Sequence, residues 1–323
     1  MYNPSSEAEN LLIYRKLSLI RQATDFIISE YPSDQIKTPV HLGLGLEGVS
    51  VGVAHLLSPQ TKHFGQLRNH GQYLAVSGET DKFFAELYGK VTGMGSGKAG
   101  SMHLSSVEHG MMGTSGIVGS TISLAVGAAF AEKYQGTDAI TVAMFGDAGM
   151  EEGEFWESLN FACLHKLKVM FVCEDNDIAI HTFGQQRRGF KSITEGVSGF
   201  DCNVYEGDGT DVRSVLDAVQ RAKNKMMEDS KPAFLCFKWF RFLEHVGPNT
   251  DWWMGYRPEP SVEELKVLDP VHNFEEYLHT QEISEEQLQE VRVSVESQIQ
   301  GSVEKAKAAR YPGPDELKEW VFV

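Results

Sequence analysis

Between residues 146 and 176 the chain carries one acidic side chain and one amide where two apolar runs stop. Gly146-Asp147-Ala148 follows AITVAMF, and Asp175-Asn176 follows KVMFVC. Both runs have the continuous apolar character of buried parallel strands. GEFWESLNFACLHK, between them, places Phe155, Leu159 and Ala162 or Cys163 on one helical face. In a right-handed βαβ unit the two strands lie parallel and end at one edge of the sheet, where α/β folds bind ligands. One carboxylate and one amide oxygen there suit a hard cation. Magnesium wants six oxygens and commonly takes several from phosphates. Two side-chain oxygens, a backbone carbonyl, a water and two diphosphate oxygens would complete such a shell. The Gly-rich turn turns backbone N–H groups and a helix N-terminus toward the diphosphate. A plain turn with an N-cap is the other reading of Gly-Asp after a strand. Gly207-Asp208-Gly209 supplies a control, because the next strand, around Phe237, is followed by no Asn or Asp. That second motif reads as a turn before a helix.

The elements needed to hold such a site follow from periodicity. Residues 7–30 read as an amphipathic helix through Leu11, Leu12, Tyr14, Leu17, Leu19, Ile20, Phe26 and Ile27. HLGLGLEGVSVGVAHLL reads as a Gly-rich turn opening an apolar helix, and 79–92 as another helix. GKVTGMGSGKAGSMHL has almost no side-chain pattern and reads as loop. GTSGIVGSTISLAVGAAFAEKY reads as a Gly turn and a small-residue helix. Strand signals begin only with AITVAMF. FDCNVYEGDGTDVRSVLDAVQRAKNKM then reads strand, turn, helix, with Thr210 or Asp211 as cap, and PAFLCFKWF is a further strand. The alternation predicts an α/β fold, a mostly parallel sheet with helices on both faces. From Pro258 on, the chain is charged and helical. A single domain over 1–323 is expected, with an N-terminal helical arm (1–40), an α/β core (41–245) and a loop with a C-terminal helical tail (246–323).

The chain has 323 residues and a formal net charge of −16, which argues against nucleic acid or an anionic membrane as its main partner. Its four cysteines are scattered without a CxxC, so a disulfide framework or cysteine-based zinc site is not expected. MYNPSSEAENLLIYRK lacks an export signal's apolar core, and ISLAVGAAFA is too short to span a bilayer. A cytoplasmic setting is expected. No GxGxxG follows a first strand, against a nicotinamide-binding fold.

Gly146-Asp147-Ala148 followed by Asp175-Asn176 resembles the thiamine diphosphate motif, usually written GDG and then NN. HLGLGLEGVSVGVA, LRNHGQYLAVSG, GKAGSMHL, GIVGSTISLAVGAA, EEGEFWESLNFA and FRFLEHVGP resemble, in order, further motifs of one family. That family is the alpha subunit of thiamine diphosphate-dependent 2-oxoacid dehydrogenases (pyruvate, branched-chain 2-oxoacid and acetoin types). The likeness covers roughly residues 10–260. It implies a thiamine diphosphate-binding fold and an enzyme that decarboxylates a 2-oxoacid and passes on the acyl or hydroxyalkyl unit.

By that resemblance Asp147, Asn176 and the carbonyl of Ile178 ligate Mg²⁺, and Ala148 and Gly149 offer backbone contacts to the diphosphate. Leu67 and Arg68 occupy the place of a Tyr-Arg pair that grips the phosphates; a guanidinium fork suits that task. Gly116 and Val118 line the aminopyrimidine. His41 matches a histidine near the substrate carbonyl, and His245 an active-site loop histidine that also meets the cofactor; both are the expected catalytic residues. His103 matches a motif histidine without an assigned role. His70 is expected to order the loop holding Arg68, and Glu47 either hydrogen-bonds across the fold or takes part in catalysis.

The sequence departs from the pattern in four places. Ala148 replaces a glycine, which a turn of negative φ tolerates. Leu67 replaces a tyrosine, removing one phosphate hydrogen bond. Leu243 and Val246 replace a histidine and a serine, so phosphorylation of that serine cannot occur here. EHVGPNTDWWMGYRP differs from the usual pyruvate-type loop. The family keeps the glutamate that pairs with the aminopyrimidine on a beta subunit. An α2β2 heterotetramer is therefore expected, with a lipoyl-bearing acyltransferase as a further partner. The alternative is a biosynthetic two-carbon or ketol transferase, split-transketolase-like or a carboligase, without a lipoyl partner.

Overall fold

In a computed structural model, which describes residues 2–57 and 59–319, the apolar runs become strands of one parallel sheet. Its strands are β1 (Lys62–Gly65), β2 (Met111–Thr114), β3 (Thr141–Gly146), β4 (Val169–Asp175), β7 (Asn203–Asp208) and β8 (Ala233–Lys238). Their order is β2-β1-β3-β4-β8-β7. Two short strands, β5 (Ile178–Ala179) and β6 (Thr182–Phe183), form a separate antiparallel hairpin. The helices are α1 (Glu7–Glu30), α2 (Glu47–His55), α3 (His70–Ser77), α4 (Asp81–Leu87), α5 (Ser120–Gln135), α6 (Gly153–Leu164), α7 (Ile193–Val197), α8 (Val212–Asp229), α9 (Val262–Val267), α10 (Pro270–Thr280) and α11 (Glu285–Ala308). Among the described residues no helix is long and apolar enough to cross a membrane. Residues 320–323, the end of the expected C-terminal tail, lie outside the described residues.

Successive strand residues face opposite sides of the sheet, and both sides are covered. Ala143, Phe145, Phe171, Cys173 and Phe234 pack with Ile122 and Val126 of α5 and Phe155 and Leu159 of α6. Val142, Met144, Met170, Val172 and Leu235 pack with Val49 and Val53 of α2 and Val215 and Val219 of α8. This two-sided burial is why the central strands read as unbroken apolar runs. A third cluster joins α1, α4 and α11 through Leu17, Phe84 and Ile299. All four cysteines are free thiols.

β1 and β2 have no counterpart among the expected strands. Each has four residues and contains a glycine, too few for a period to emerge. α4 is shorter than the expected 79–92 helix, because Gly89 follows it at φ +68°. Of the two candidate caps before α8, Asp211 does the capping, accepting from the Arg213 N–H at 2.9 Å. The Gly-rich stretch after α4 is loop, as expected, and it wraps a buried carboxylate. Glu86 accepts backbone N–H bonds from Gly95, Gly97, Ala99 and Gly100 at 2.7–3.1 Å. At Gly93 a Cβ would come within 2.4 Å of the Glu86 carboxylate and 2.7 Å of its backbone.

Candidate active site

β3 and β4 pair in register, with Gly146 opposite Glu174. Asp147 and Asn176 therefore leave the sheet side by side at its carboxyl edge. The other strands bring their own loops to this edge: Gln66–Asn69 after β1, Gly116–Val118 after β2 and Trp239–His245 after β8. Together they enclose a cavity of about 280 Å³ lined by Leu67, Arg68, Val118, Asp147, Ala148, Gly149, Asn176, Ile178 and His245. Of the expected site residues, Gly116 and His41 stand outside this lining. Gly116 sits on the Val118 loop, its N–H 3.5 Å from the His103 ring nitrogen. His41 is buried, its ring edge-on to that of His245 with centroids 5.1 Å apart.

The polar groups of the cavity fall into three sets. The first is acidic. Asp147 is 2% exposed, and burial pushes its carboxyl above the usual range, while Arg187 works against that shift. Arg187 Nη2 reaches its Oδ2 at 2.7 Å, and Arg188 makes a second ion pair to the same oxygen. Arg188 also lies 3.5 Å from Asp175 and 3.4 Å from Asp177. Four carboxylates, including Glu151, thus face one pair of guanidinium groups, a concentration of negative charge that calls for a cation. Asn176 Oδ1 accepts from the Ile178 N–H at 3.0 Å, closing a turn at the end of β4.

The second set is basic. Arg68 donates to the Leu42 carbonyl at 2.5 Å and to the His245 carbonyl at 3.1 Å, with its Nη2 3.4 Å from His245 Nδ1. Burial and the charge of Arg68 hold His245 down to about 3 and His41 down to about 4. Both imidazoles are neutral at pH 7. The Arg68 donor facing Nδ1 leaves the His245 proton on Nε2. His181 is near enough to disfavour protonation of His245 as well.

The third set is unpartnered. Gln66 Nε2, both polar atoms of the Asn69 side chain, Gln72 Oε1 and Trp239 Nε1 are buried without a hydrogen-bond partner. All four residues line the cavity. An unmet buried polar atom costs about 1–3 kcal/mol, so several at one concavity mark a place built for a polar ligand. Sequence reasoning missed these residues, as well as Arg187, Arg188 and Glu174. Gln66 and Asn69 flank Arg68, and recognising β1 as a strand would have placed them at its carboxyl end.

Glu174 is buried in the cavity wall, and burial, opposed by Arg68, pushes its carboxyl from 4.5 up to about 8. Between these pH values the folded chain holds a proton that the unfolded chain has lost. Unfolding then releases a proton, so stability falls as pH rises from about 4.5 to about 8. Melting temperature measured across that range is expected to slope downward, and Glu174→Gln is expected to flatten the slope.

Three histidine and glutamate expectations resolve differently. His70 begins α3 two residues after Arg68, and its Nε2 lies 2.7 Å from Ser101 Oγ, so it ties the start of that helix to the Gly-rich loop. Glu47 is fully buried, ion-paired with Arg21 at 2.8 Å and accepting the Gly45 N–H. It ties α1 to α2, the first of its two readings. His103 is exposed, with Nδ1 3.1 Å from the Ala99 carbonyl.

Comparison with known proteins points the same way as the cavity. Residues 15–315 match the family described as "Dehydrogenase E1 component". The chain is 30% identical to the alpha subunit of acetoin:2,6-dichlorophenolindophenol oxidoreductase of Cupriavidus necator, over 99% of this chain and 96% of that one. It is 31% identical to the pyruvate dehydrogenase E1 component subunit alpha of Zymomonas mobilis, over 98% of this chain and 90% of that one. A Bacillus subtilis acetoin oxidoreductase alpha subunit is 30% identical, over 98% and 95% of the two chains. The parallel sheet, its carboxyl-edge cavity and these likenesses together place the chain in the dehydrogenase E1 component family, as an alpha-type chain of the thiamine diphosphate-dependent oxidoreductases.

Proposed function

We propose that this chain holds the metal and diphosphate half of a thiamine diphosphate- and Mg²⁺-dependent enzyme. In this reading it decarboxylates a pyruvate-like 2-oxoacid and passes the acyl or hydroxyalkyl unit to an acceptor carried by a lipoyl-bearing partner. It works in an α2β2 assembly with a separate beta chain. The observation that carries the reading is the pairing of Asp147 and Asn176 at the ends of adjacent strands, opening on a cavity with unmet buried polar atoms.

Asp147, the Asn176 amide oxygen and the Ile178 carbonyl would hold Mg²⁺, an all-oxygen donor set suited to it. The guanidinium pair on Asp147 stands where a cation is favoured, so the donor set fits. Arg68 and the N–H groups of Ala148 and Gly149 would face the diphosphate, and Gln66, Asn69 and Trp239 would find polar partners. Gly116 and Val118 would border the aminopyrimidine, and Leu67 would lie beside Arg68 at the phosphates without a hydrogen bond to give. When bound, the cofactor supplies the electron sink that decarboxylation requires. His245, neutral and with its proton on Nε2, is a hydrogen-bond donor toward a substrate oxygen. His41 buttresses its ring. Arg68 adds fixed positive charge without a proton to lose at neutral pH.

The test is turnover. The chain, purified with its partner, is expected to decarboxylate a 2-oxoacid only with thiamine diphosphate and Mg²⁺, reducing a dye acceptor. His245→Ala is expected to leave cofactor affinity largely intact and lower kcat about 100-fold. Unchanged kinetics in that variant would make His245 a structural residue, and absence of 2-oxoacid turnover by the wild type would sink the reading.

A further inference from the structure

Away from the cofactor cavity, two tight turns meet beside the edge strand β2. The first ends α3: Gly78 closes that helix at φ +66°, its N–H bonding the Leu74 carbonyl at 2.9 Å, and Glu79 follows. The second leads into β2. Ser106 and Met111 exchange backbone hydrogen bonds at 2.8 and 3.0 Å, and Gly110, at φ +84°, lets the chain reverse between them. That closed turn carries Glu108 and His109. One ligating atom each from Glu79, Glu108 and His109, two carboxylate oxygens and a ring nitrogen, all lie within 4.8 Å of one another. A cation already stands among them: the Lys82 ammonium, 2.5 Å from Glu108 and 3.6 Å from Glu79.

Two neighbours make this more than a surface ion pair. Ser106, itself buried, donates its hydroxyl to Glu79 at 3.4 Å and lies 2.8 Å from His109 Nδ1. With its own proton directed to Glu79, the hydroxyl accepts from Nδ1–H, which leaves Nε2 with a free lone pair. A carboxylate acting through such a hydrogen bond is how proteins orient a ligating histidine. Tyr73 is the other neighbour. It is 0% exposed, and its hydroxyl closes no hydrogen bond. Burial first, and then the charge of Glu79, push its pKa up. At neutral pH it is therefore a protonated, unpartnered donor beside that carboxylate. An unmet buried donor is costly, and a glutamate turned toward a metal offers its second oxygen to such a group.

We propose that Glu79, Glu108 and His109 form a binding site for a divalent cation of the zinc type, supported by the hydroxyls of Ser106 and Tyr73 and contested by the Lys82 ammonium. One imidazole with two carboxylates is a mixed nitrogen and oxygen set, which suits zinc and its neighbours better than magnesium or calcium. Zinc holds its ligands about 2.1 Å away and so roughly 3.4 Å apart, and the three atoms draw together by at most about 1.4 Å to meet it. Lys82 is free to leave, because its side chain is 44% exposed. The ion fastens the start of β2, the outermost strand on its side of the sheet, to the turn between α3 and α4. None of these residues lines the cofactor cavity, and the inference does not rest on the 2-oxoacid reading.

The experiment titrates Zn²⁺, and Co²⁺ as its visibly absorbing substitute, into the full chain purified with its partner, in excess Mg²⁺ to fill oxygen-only sites. Wild type is expected to take up one equivalent that His109→Ala binds at least about 100-fold more weakly. Tyr73→Phe is expected to weaken binding about 10-fold, with the metal-free melting temperature unchanged or higher, because no hydrogen bond is lost. Lys82→Ala removes the competing charge and is expected to tighten binding about threefold. Zn²⁺ at about 100 times its dissociation constant is expected to raise the melting temperature of wild type by about 4 °C, and not that of His109→Ala. No uptake by wild type, or the same uptake by His109→Ala, overturns the assignment, since any bound ion then sits elsewhere. If His109→Ala does not fold, Lys82→Ala decides alone, and unchanged or weaker binding in that variant overturns the site.

Discussion

Asp147→Ala is expected to abolish Mg²⁺-dependent binding of thiamine diphosphate. Asp147 immediately follows β3, and it shares the cavity with Asn176 and Ile178. Changes one shell away from a bound metal typically weaken it about 10- to 100-fold, so loss of a charged ligand should exceed 100-fold. The fold should survive, because Arg187 and Arg188 keep Glu151, Asp175 and Asp177 as counter-charges. A metal held by Asp147 would have to displace these two guanidinium groups. Calorimetric titration with and without Mg²⁺ reads the affinity, and circular dichroism checks the fold. An unchanged dissociation constant in a folded variant would remove Asp147 from the metal site.

The second large effect is on stability. Asp251 is fully buried, and its two oxygens meet Arg241, Arg257 and Tyr256. Burial alone would raise its pKa, but Tyr256 and Arg257 outweigh burial and hold the carboxyl below its usual value. Arg241 and Arg257 are 2% and 7% exposed, so neither can turn to water if the carboxylate is removed. Deleting one partner of a buried ion pair costs about 3–5 kcal/mol. Asp251→Ala is therefore expected to lower the melting temperature by on the order of 10 °C. It should also loosen the Arg241 hydrogen bonds to the Ile180 carbonyl and the segment carrying His245, so activity should fall below what the temperature shift alone explains. Asp251→Asn, which keeps the shape, should cost less. A melting temperature within about 1 °C of wild type, equivalent to well under 1 kcal/mol, would show that the two arginines find other partners.

Some of this was legible in the sequence, for physical reasons. AITVAMF and KVMFVC are buried on both faces, so composition alone marks them as central strands. Their succession through one helix fixes Asp147 and Asn176 at a common edge. Helix α1 was legible because its apolar positions repeat over many turns. β1 and β2 were not, and with them went Gln66, Asn69 and Gln72, whose unmet polar atoms are the clearest sign of a ligand site. Arg68 could be chosen only through family likeness, since nothing in its local pattern brings it to His245, 177 positions away in the chain. Arg187 and Arg188 reach Asp147 across a loop whose return no periodicity announces. The backbone of Ile180 was hidden for the opposite reason: residue type argues against the conformation it adopts.

The central claim is that this chain carries the metal and diphosphate half of a site completed by another chain. The most direct measurement is calorimetric titration of thiamine diphosphate and Mg²⁺ into the chain alone and into the chain co-purified with its partner. Tight, Mg²⁺-dependent binding only in the presence of the partner is the predicted result. Absence of binding in both samples would contradict the claim, and would mean that Ala148 and Leu67 have cost the cavity its cofactor.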